Sequence, residues 1–230
     1  MSGALDIRHL SVEIAALPVL TDVVLTIAPG SFVGLVGRNG AGKTTLMRAI
    51  MGLLPARSGN VTFLDNDLGA MPPQARAGLG IGYMPEDRRL IPELTAEENV
   101  LLPAWAVDAA DVRERLHFVY GILPEVGEFA PRRAVQLSGG QQKLVALARA
   151  LMCGRRLLLL DEPFEGVAPA LARRLVEAIA ALKATGVSVL LSESDYVHSG
   201  DLIDALYVIE RGVVTPRSAV FKTASGRVKA

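Results

Sequence analysis

The chain has 230 residues, half of them hydrophobic, enough to bury the core of one domain or of two intimate subdomains. Lys plus Arg and Asp plus Glu both number 24, so the formal net charge is zero and no broad basic field exists to hold a phosphate backbone, which argues against nucleic acid as a partner. Residues 1–10 lack an apolar signal core, no stretch reaches the ~18 uninterrupted apolar residues of a spanning helix, and the single Cys153 cannot close an internal disulfide; the expectation is a soluble chain in a reducing compartment that acts at a membrane only through partners.

In chain order, residues 5–7, 23–27 and 61–64 read as short strands separated by turn residues, including Pro29-Gly30 and Ser58-Gly59, and are taken as an antiparallel side sheet. Residues 31–36 are almost continuously apolar, as a parallel strand covered on both faces requires, and a helix running to about Leu53 is predicted after the glycine-rich turn that follows. Between about 90 and 133 the pattern is helical: Thr95 and Glu98 have capping-box spacing, and a second helix is predicted over 108–120. Further buried strands are predicted at 157–161, 187–191 and 205–209. Between the first two of these, Leu171, Leu175, Ala178, Ile179 and Leu182 recur at helical spacing, with Pro169 at the helix entry and Gly186 at its exit. The alternation of strands and helices indicates an α/β fold with a mainly parallel sheet. After Glu210 come Arg211, Arg217, Lys222, Arg227 and Lys229 with no acidic residue, which reads as a solvated, partly disordered tail or as a contact for anionic lipid or a partner.

Three motifs carry chemistry. Gly37-Arg38-Asn39-Gly40-Ala41-Gly42-Lys43-Thr44 fits G-x-x-x-x-G-K-[ST] between a predicted strand and a predicted helix. Its glycines let successive backbone N–H groups curl around phosphate oxygens at a helix N-terminus. Lys43 is expected to reach the β and γ phosphates of ATP and Thr44 to ligate Mg²⁺, with Thr45 beside them among the nucleotide-binding residues. Asp161-Glu162 closes the apolar strand at 157–161, at the carboxyl edge where open α/β sheets bind ligands; Asp161 is assigned to the Mg²⁺ shell and Glu162 to the attacking water as general base. Leu137-Ser138-Gly139-Gly140-Gln141-Gln142 opens a helix of small apolar residues, a third place where a hydroxyl and backbone amides can meet a phosphate.

This last segment resembles the LSGGQ signature of ATP-binding cassette proteins. The resemblance spans nearly the whole chain and implies a P-loop NTPase (RecA-like) core with an antiparallel β subdomain, at about 1–89 and 134–230, and a helical subdomain at about 90–133. It also implies a head-to-tail dimer in which Ser138, Gly139, Gly140 and Gln141 of one protomer face the ATP held by the P-loop of the other, on the cytoplasmic face of a membrane and docked on membrane-spanning permease subunits.

Four positions depart from the pattern. Glu86, in Tyr83-Met84-Pro85-Glu86, stands where most cassettes have a glutamine, and its carboxylate can still meet Mg²⁺ or a metal-bound water. Ser194 takes the place of the switch histidine that meets the γ phosphate and, unlike histidine, does not titrate near neutrality. Ile14 falls where an aromatic usually stacks on adenine, and Ala168 where a loop aspartate is usual. His198, four residues beyond Ser194, has the wrong offset and is read as an ordinary surface or core histidine. The stretches 80–89, 94–99 and 165–169 are similar to the shorter ATPase of branched-chain amino-acid importers, which implies a second, longer ATPase, two permease subunits and an extracytoplasmic binding protein. Import of urea or short amides, lipid export, and a regulatory subunit with weak hydrolysis are the alternatives.

Overall fold

The computed structural model describes residues 4–107, 109–195 and 198–217. Its first strands outrun the apolar stretches that announce them: β1 (Leu5–Ile14) and β2 (Leu17–Ile27) pair antiparallel through a tight turn at Ala15 and Ala16, both at positive φ. β4 (Ser58–Phe63) adds to the other side of β1 and β5 (Asn66–Asp67) to β4, giving a four-stranded sheet in the order β2-β1-β4-β5. The side sheet therefore forms as expected, although Ser58-Gly59 begins a strand instead of making a turn. Gly59 (φ 88°) lies against the backbone of His9, where a Cβ would sit 2.3 Å from its carbonyl oxygen.

The main sheet has six strands in the order β10-β9-β3-β8-β7-β6. β3 (Phe32–Val36), β6 (Ile81–Met84), β7 (Leu157–Asp161), β8 (Ser188–Glu193) and β9 (Ala205–Glu210) run parallel, and the edge strand β10 (Val213–Arg217) is antiparallel to β9. Arg211 and Arg217 thus belong to a hairpin and not to a tail; Pro216 fits this outermost strand, where its missing N–H costs no ladder bond. Lys222, Arg227 and Lys229 lie outside the described residues. Along β7 and β8, Leu158, Leu160, Val189 and Leu191 enter one hydrophobic cluster, while Leu157, Leu159 and Leu190 enter the other. Both faces are covered, which is why these strands read as uninterrupted apolar runs.

On one face lies α1 (Lys43–Ile50), sandwiched with the antiparallel sheet in the second cluster. It stops at Ile50, short of the expected Leu53. The buried guanidinium of Arg76, carried on α2 (Pro73–Gly78), donates to the carbonyls of Ala49 and Ile50 (3.0 and 2.6 Å) and so occupies the end of the helix. On the other face α6 (Gly139–Cys153) and α7 (Pro169–Ala181) pack with α3 (Ala96–Ala106), α4 (Val112–Ile122) and α5 (Pro124–Glu128). Thr95 makes the predicted capping box with Glu98 at the start of α3. Helix α4 starts four residues later than the predicted 108, a position outside the described residues, because Asp111 is tied to Arg155 by a two-pronged ion pair. No helix among the described residues is long and apolar enough to cross a membrane.

Candidate active site

Three neighbouring strands end at one place. β8 lies between β3 and β7, with Val36 opposite Glu193 and Asp161 opposite Ser192, so the residues following β3 meet those that end β7 and β8 at the carboxyl edge of the sheet. The loop after β3 is tied down on both sides. Gly37 N–H donates to Glu193 O (3.1 Å), Ala41 N–H to Arg38 O (3.0 Å), and Ala41 O accepts from Gly212 N–H (2.9 Å). Gly37 is obligatory by contact, since a Cβ there would sit 2.3 Å from Ile209 O; Gly42 is obligatory by conformation, at φ 114°. Gly42 is the N-cap of α1, and no side chain caps that helix.

The Lys43 side chain is 5% exposed and curls back over the loop. Its Nζ donates to the carbonyls of Gly37 and Arg38 and pairs with Glu162 Oε1 at 2.9 Å. Glu162 sits at φ 47°, a left-handed conformation that lets it turn away from the β7 direction. Asp161, fully buried, accepts from Ser192 Oγ (2.7 Å), from Tyr83 Oη (3.4 Å) and from Thr44. Burial pushes its carboxyl above the usual range, and the bonds from Ser192 and Thr44 pull against that rise.

Ser194 Oγ lies 2.9 Å from Asn39 Oδ1 and 3.1 Å from Glu162 Oε1, so its one proton can serve either acceptor but not both. A cleft of about 260 Å³ opens over this arrangement, walled by Asn39, Gly40, Gly42, Lys43, Thr44, Thr45, Glu162, Glu86 and Val19. Although Glu86 reaches solvent, partial desolvation and then the carboxylates of Glu165, Asp161 and Glu162 raise its pKa. Ile14 does not line this cleft: it is 42% exposed at the tip of the first hairpin, opposite Leu17, and Val19 is the β2 residue on the cleft wall.

The signature segment occupies a different surface. Ser138 caps α6 through Gln141 N–H (3.3 Å) and Gln141 returns the bond to Ser138 N–H (3.0 Å). Gly139 and Gly140 line a second hollow of about 430 Å³, with Glu86 the only one of the described residues common to both. A lysine outside the three motifs connects the two. Lys143, 5% exposed on α6, donates to the carbonyls of Glu162 and Glu165 (3.0 and 2.7 Å), burial lowering its pKa, and Arg88 donates to Gly139 O (3.1 Å). A lysine amid the small apolar residues of that helix was the available signal. His198 also proves nearer than its offset suggested: its ring tilts against Phe164 (centroids 5.5 Å apart) in a hollow it shares with Glu162 and Ser194.

A P-loop, a strand-end acidic pair and a self-capped Ser-Gly-Gly helix in one chain agree with what family comparison finds: the ABC transporter family model matches residues 20–165. The chain belongs to the ABC transporter ATPase family. This ATPase is 36% identical to the high-affinity branched-chain amino acid transport ATP-binding protein BraG of Pseudomonas aeruginosa, over 84% of its own length and 83% of the relative's. It is 34% identical to the probable branched-chain amino acid transport ATP-binding protein LivF of Archaeoglobus fulgidus (86% and 84% covered). Identity to the lipopolysaccharide export ATP-binding protein LptB of Escherichia coli K12 is 32% (84% and 81% covered). Among solved structures, the ADP conformation of MJ1267, an ATP-binding cassette of an ABC transporter, superposes with a TM-score of 0.81 at 28% identity, covering 96% of this chain and 93% of the other.

Proposed function

We propose that this ATPase binds MgATP at its P-loop, hydrolyses it in a head-to-tail dimer with a second cassette, and thereby powers uptake of branched-chain or other hydrophobic amino acids through permease subunits at the cytoplasmic face of the membrane. The observation that carries the catalytic part is the buried Lys43–Glu162 pair beside Asp161 and Thr44, because it gathers a cation, a base candidate and hard oxygen ligands within one cleft. The amino-acid part rests on the relatives named for branched-chain amino acid transport.

Thr44 and Asp161 fit Mg²⁺: a hydroxyl and a carboxylate already in contact supply two oxygen ligands and leave the remaining positions to phosphate and water. Bound there, the metal would neutralise charge on the β and γ phosphates. Lys43 does the same from the protein side, the uncapped amides of α1 hold the phosphate oxygens, and Glu162 takes the proton of the attacking water. Ser194, within reach of both Asn39 and Glu162, orients that carboxylate, and Glu86 offers an outer oxygen to the metal shell. Ile14 gives adenine at most an apolar edge contact from the hairpin tip. Ser138, Gly139, Gly140 and Gln141 serve the ATP of the partner cassette, and residues 90–133 form the helical subdomain that carries closure to the permease.

The test is reconstitution of the chain with its partner cassette and permeases in liposomes, following phosphate release. Stimulation by a binding protein loaded with leucine, isoleucine or valine supports the import reading. Stimulation by lipopolysaccharide instead would establish the second reading, lipid export, which the likeness to LptB favours. Absence of phosphate release in every arm would leave a binding-only subunit.

A further inference from the structure

Ser192 is a fully buried hydroxyl at the end of an otherwise apolar stretch, Val189-Leu190-Leu191, in the strand that separates the P-loop strand from the Asp161 strand. Its register partner is Asp161. Ser192 Oγ lies 2.7 Å from Asp161 Oδ1 and 3.2 Å from the backbone nitrogen of Glu162. The proton is therefore donated to the carboxylate while a lone pair accepts the amide. Tyr83 addresses the other carboxylate oxygen, at a longer 3.4 Å. The Glu162 amide also reaches Ser192 O at 3.2 Å, so the two strands stay joined even without the hydroxyl.

We propose that Ser192 is a positioning residue for hydrolysis: its hydroxyl couples the carboxylate of Asp161 to the backbone of Glu162 and so sets the offset between the metal-binding group and the base. The left-handed turn at Glu162 is where that offset is decided, because it aims the side chain at Lys43 (2.9 Å) and Ser194 (3.1 Å) instead of along β7. An apolar residue at 192 would complete the pattern of β8 but leave Asp161 Oδ1 without this donor, in a site too buried for water to replace it freely. Ser192 is fully buried and does not wall the cleft; it acts through the two carboxylates, and the inference rests on the roles given to them above.

The experiment compares Ser192→Ala, Ser192→Thr, Glu162→Gln and the unaltered full chain in the assembled complex. Thermal unfolding confirms folding, calorimetry gives ATP affinity in EDTA and in Mg²⁺, and phosphate release gives turnover. Ser192→Ala is expected to keep its metal-free ATP affinity within about two-fold, to lose much of the affinity gained with Mg²⁺, and to fall about ten-fold in kcat, the loss characteristic of one hydrogen bond to a charged group. Ser192→Thr, which keeps the hydroxyl, is expected to recover most of that turnover. The inference is overturned if Ser192→Ala retains full turnover and Mg²⁺ response, if metal-free affinity falls as much as turnover, or if threonine fails to recover activity. Full turnover in Glu162→Gln would instead remove the reading of the base, and this inference with it.

Discussion

The N-termini of α1 and α6 are built from similar letters, glycines beside a hydroxyl residue, yet the chain treats them in opposite ways. At α1 the cap is a left-handed glycine without side-chain bonds, and buried charges crowd the first turn: Lys43 paired to Glu162, with Asp161 beside Thr44. At α6 the cap is closed on itself, Ser138 and Gln141 exchanging bonds on an exposed surface. A helix end that lacks its own cap is prepared for an anion, whereas one that is self-capped gives up a bond before taking one. The difference fits the proposed reading, in which α1 opens the phosphate site of this chain and α6 offers a half-site to the nucleotide of a second cassette.

The strongest way to break the α1 side is Glu162→Gln. It keeps an oxygen for Lys43, which also retains the carbonyls of Gly37 and Arg38, so the fold should persist while turnover falls by about 10²–10³ for want of a base, with MgATP trapped in a closed dimer. Phosphate release and size-exclusion chromatography check both halves of that statement.

The next effect concerns the strand between the two sides. Burial, with Asp195 and Glu162 adding to it and Ser199 opposing it, lifts Glu193 from its ordinary 4.5 to about 7. The unfolded chain gives up this proton first. Folded stability therefore declines as pH rises from about 4.5 to 7, and the loss is complete above that. Glu193→Gln should remove this decline, adding on the order of 3 kcal/mol at pH 8 and little at pH 4.5, read from denaturant unfolding at the two pH values.

On the α6 side, Ser138→Ala removes a cap worth about 1 kcal/mol. It should lower the turnover of the dimer while leaving ATP affinity of the isolated chain unchanged, as calorimetry on the separated subunit would show. Smallest is the change at a third helix end. Ala168 gives α7 no side-chain cap, so Ala168→Asp should stabilise the fold by about 0.5–1 kcal/mol, visible as a rise of roughly 2 °C in Tm.

Much of this was legible in order along the chain. Apolar runs without alternation announced β3, β7 and β8 because both faces of those strands are covered, and β9 read alike although its residues enter only the second cluster. Glycine and hydroxyl spacing announced the loop before α1 and the capped start of α6, because tight turns and helix N-termini favour those residue types. Helix ends and short pairings were less legible. α1 ends early because of Arg76, 26 residues beyond Ile50, and β10 hides in a basic, proline-containing stretch that reads as tail.

By itself, the sequence named the candidates: Lys43, Thr44, Asp161 and Glu162 by motif, and Ser138 to Gln141 by resemblance to the signature at a helix N-terminus. Only the tertiary structure decided who stands between them. The order β3-β8-β7 places β8 in the middle, so Ser192 comes to lie against Asp161 and Ser194 between Asn39 and Glu162, while Ile14 is left on a hairpin tip. The physical reason is that local motifs encode backbone conformation and residue chemistry, whereas strand order is set by packing between segments remote in the chain, about 30 residues for β7 and β8 and more than 150 for β3 and β8.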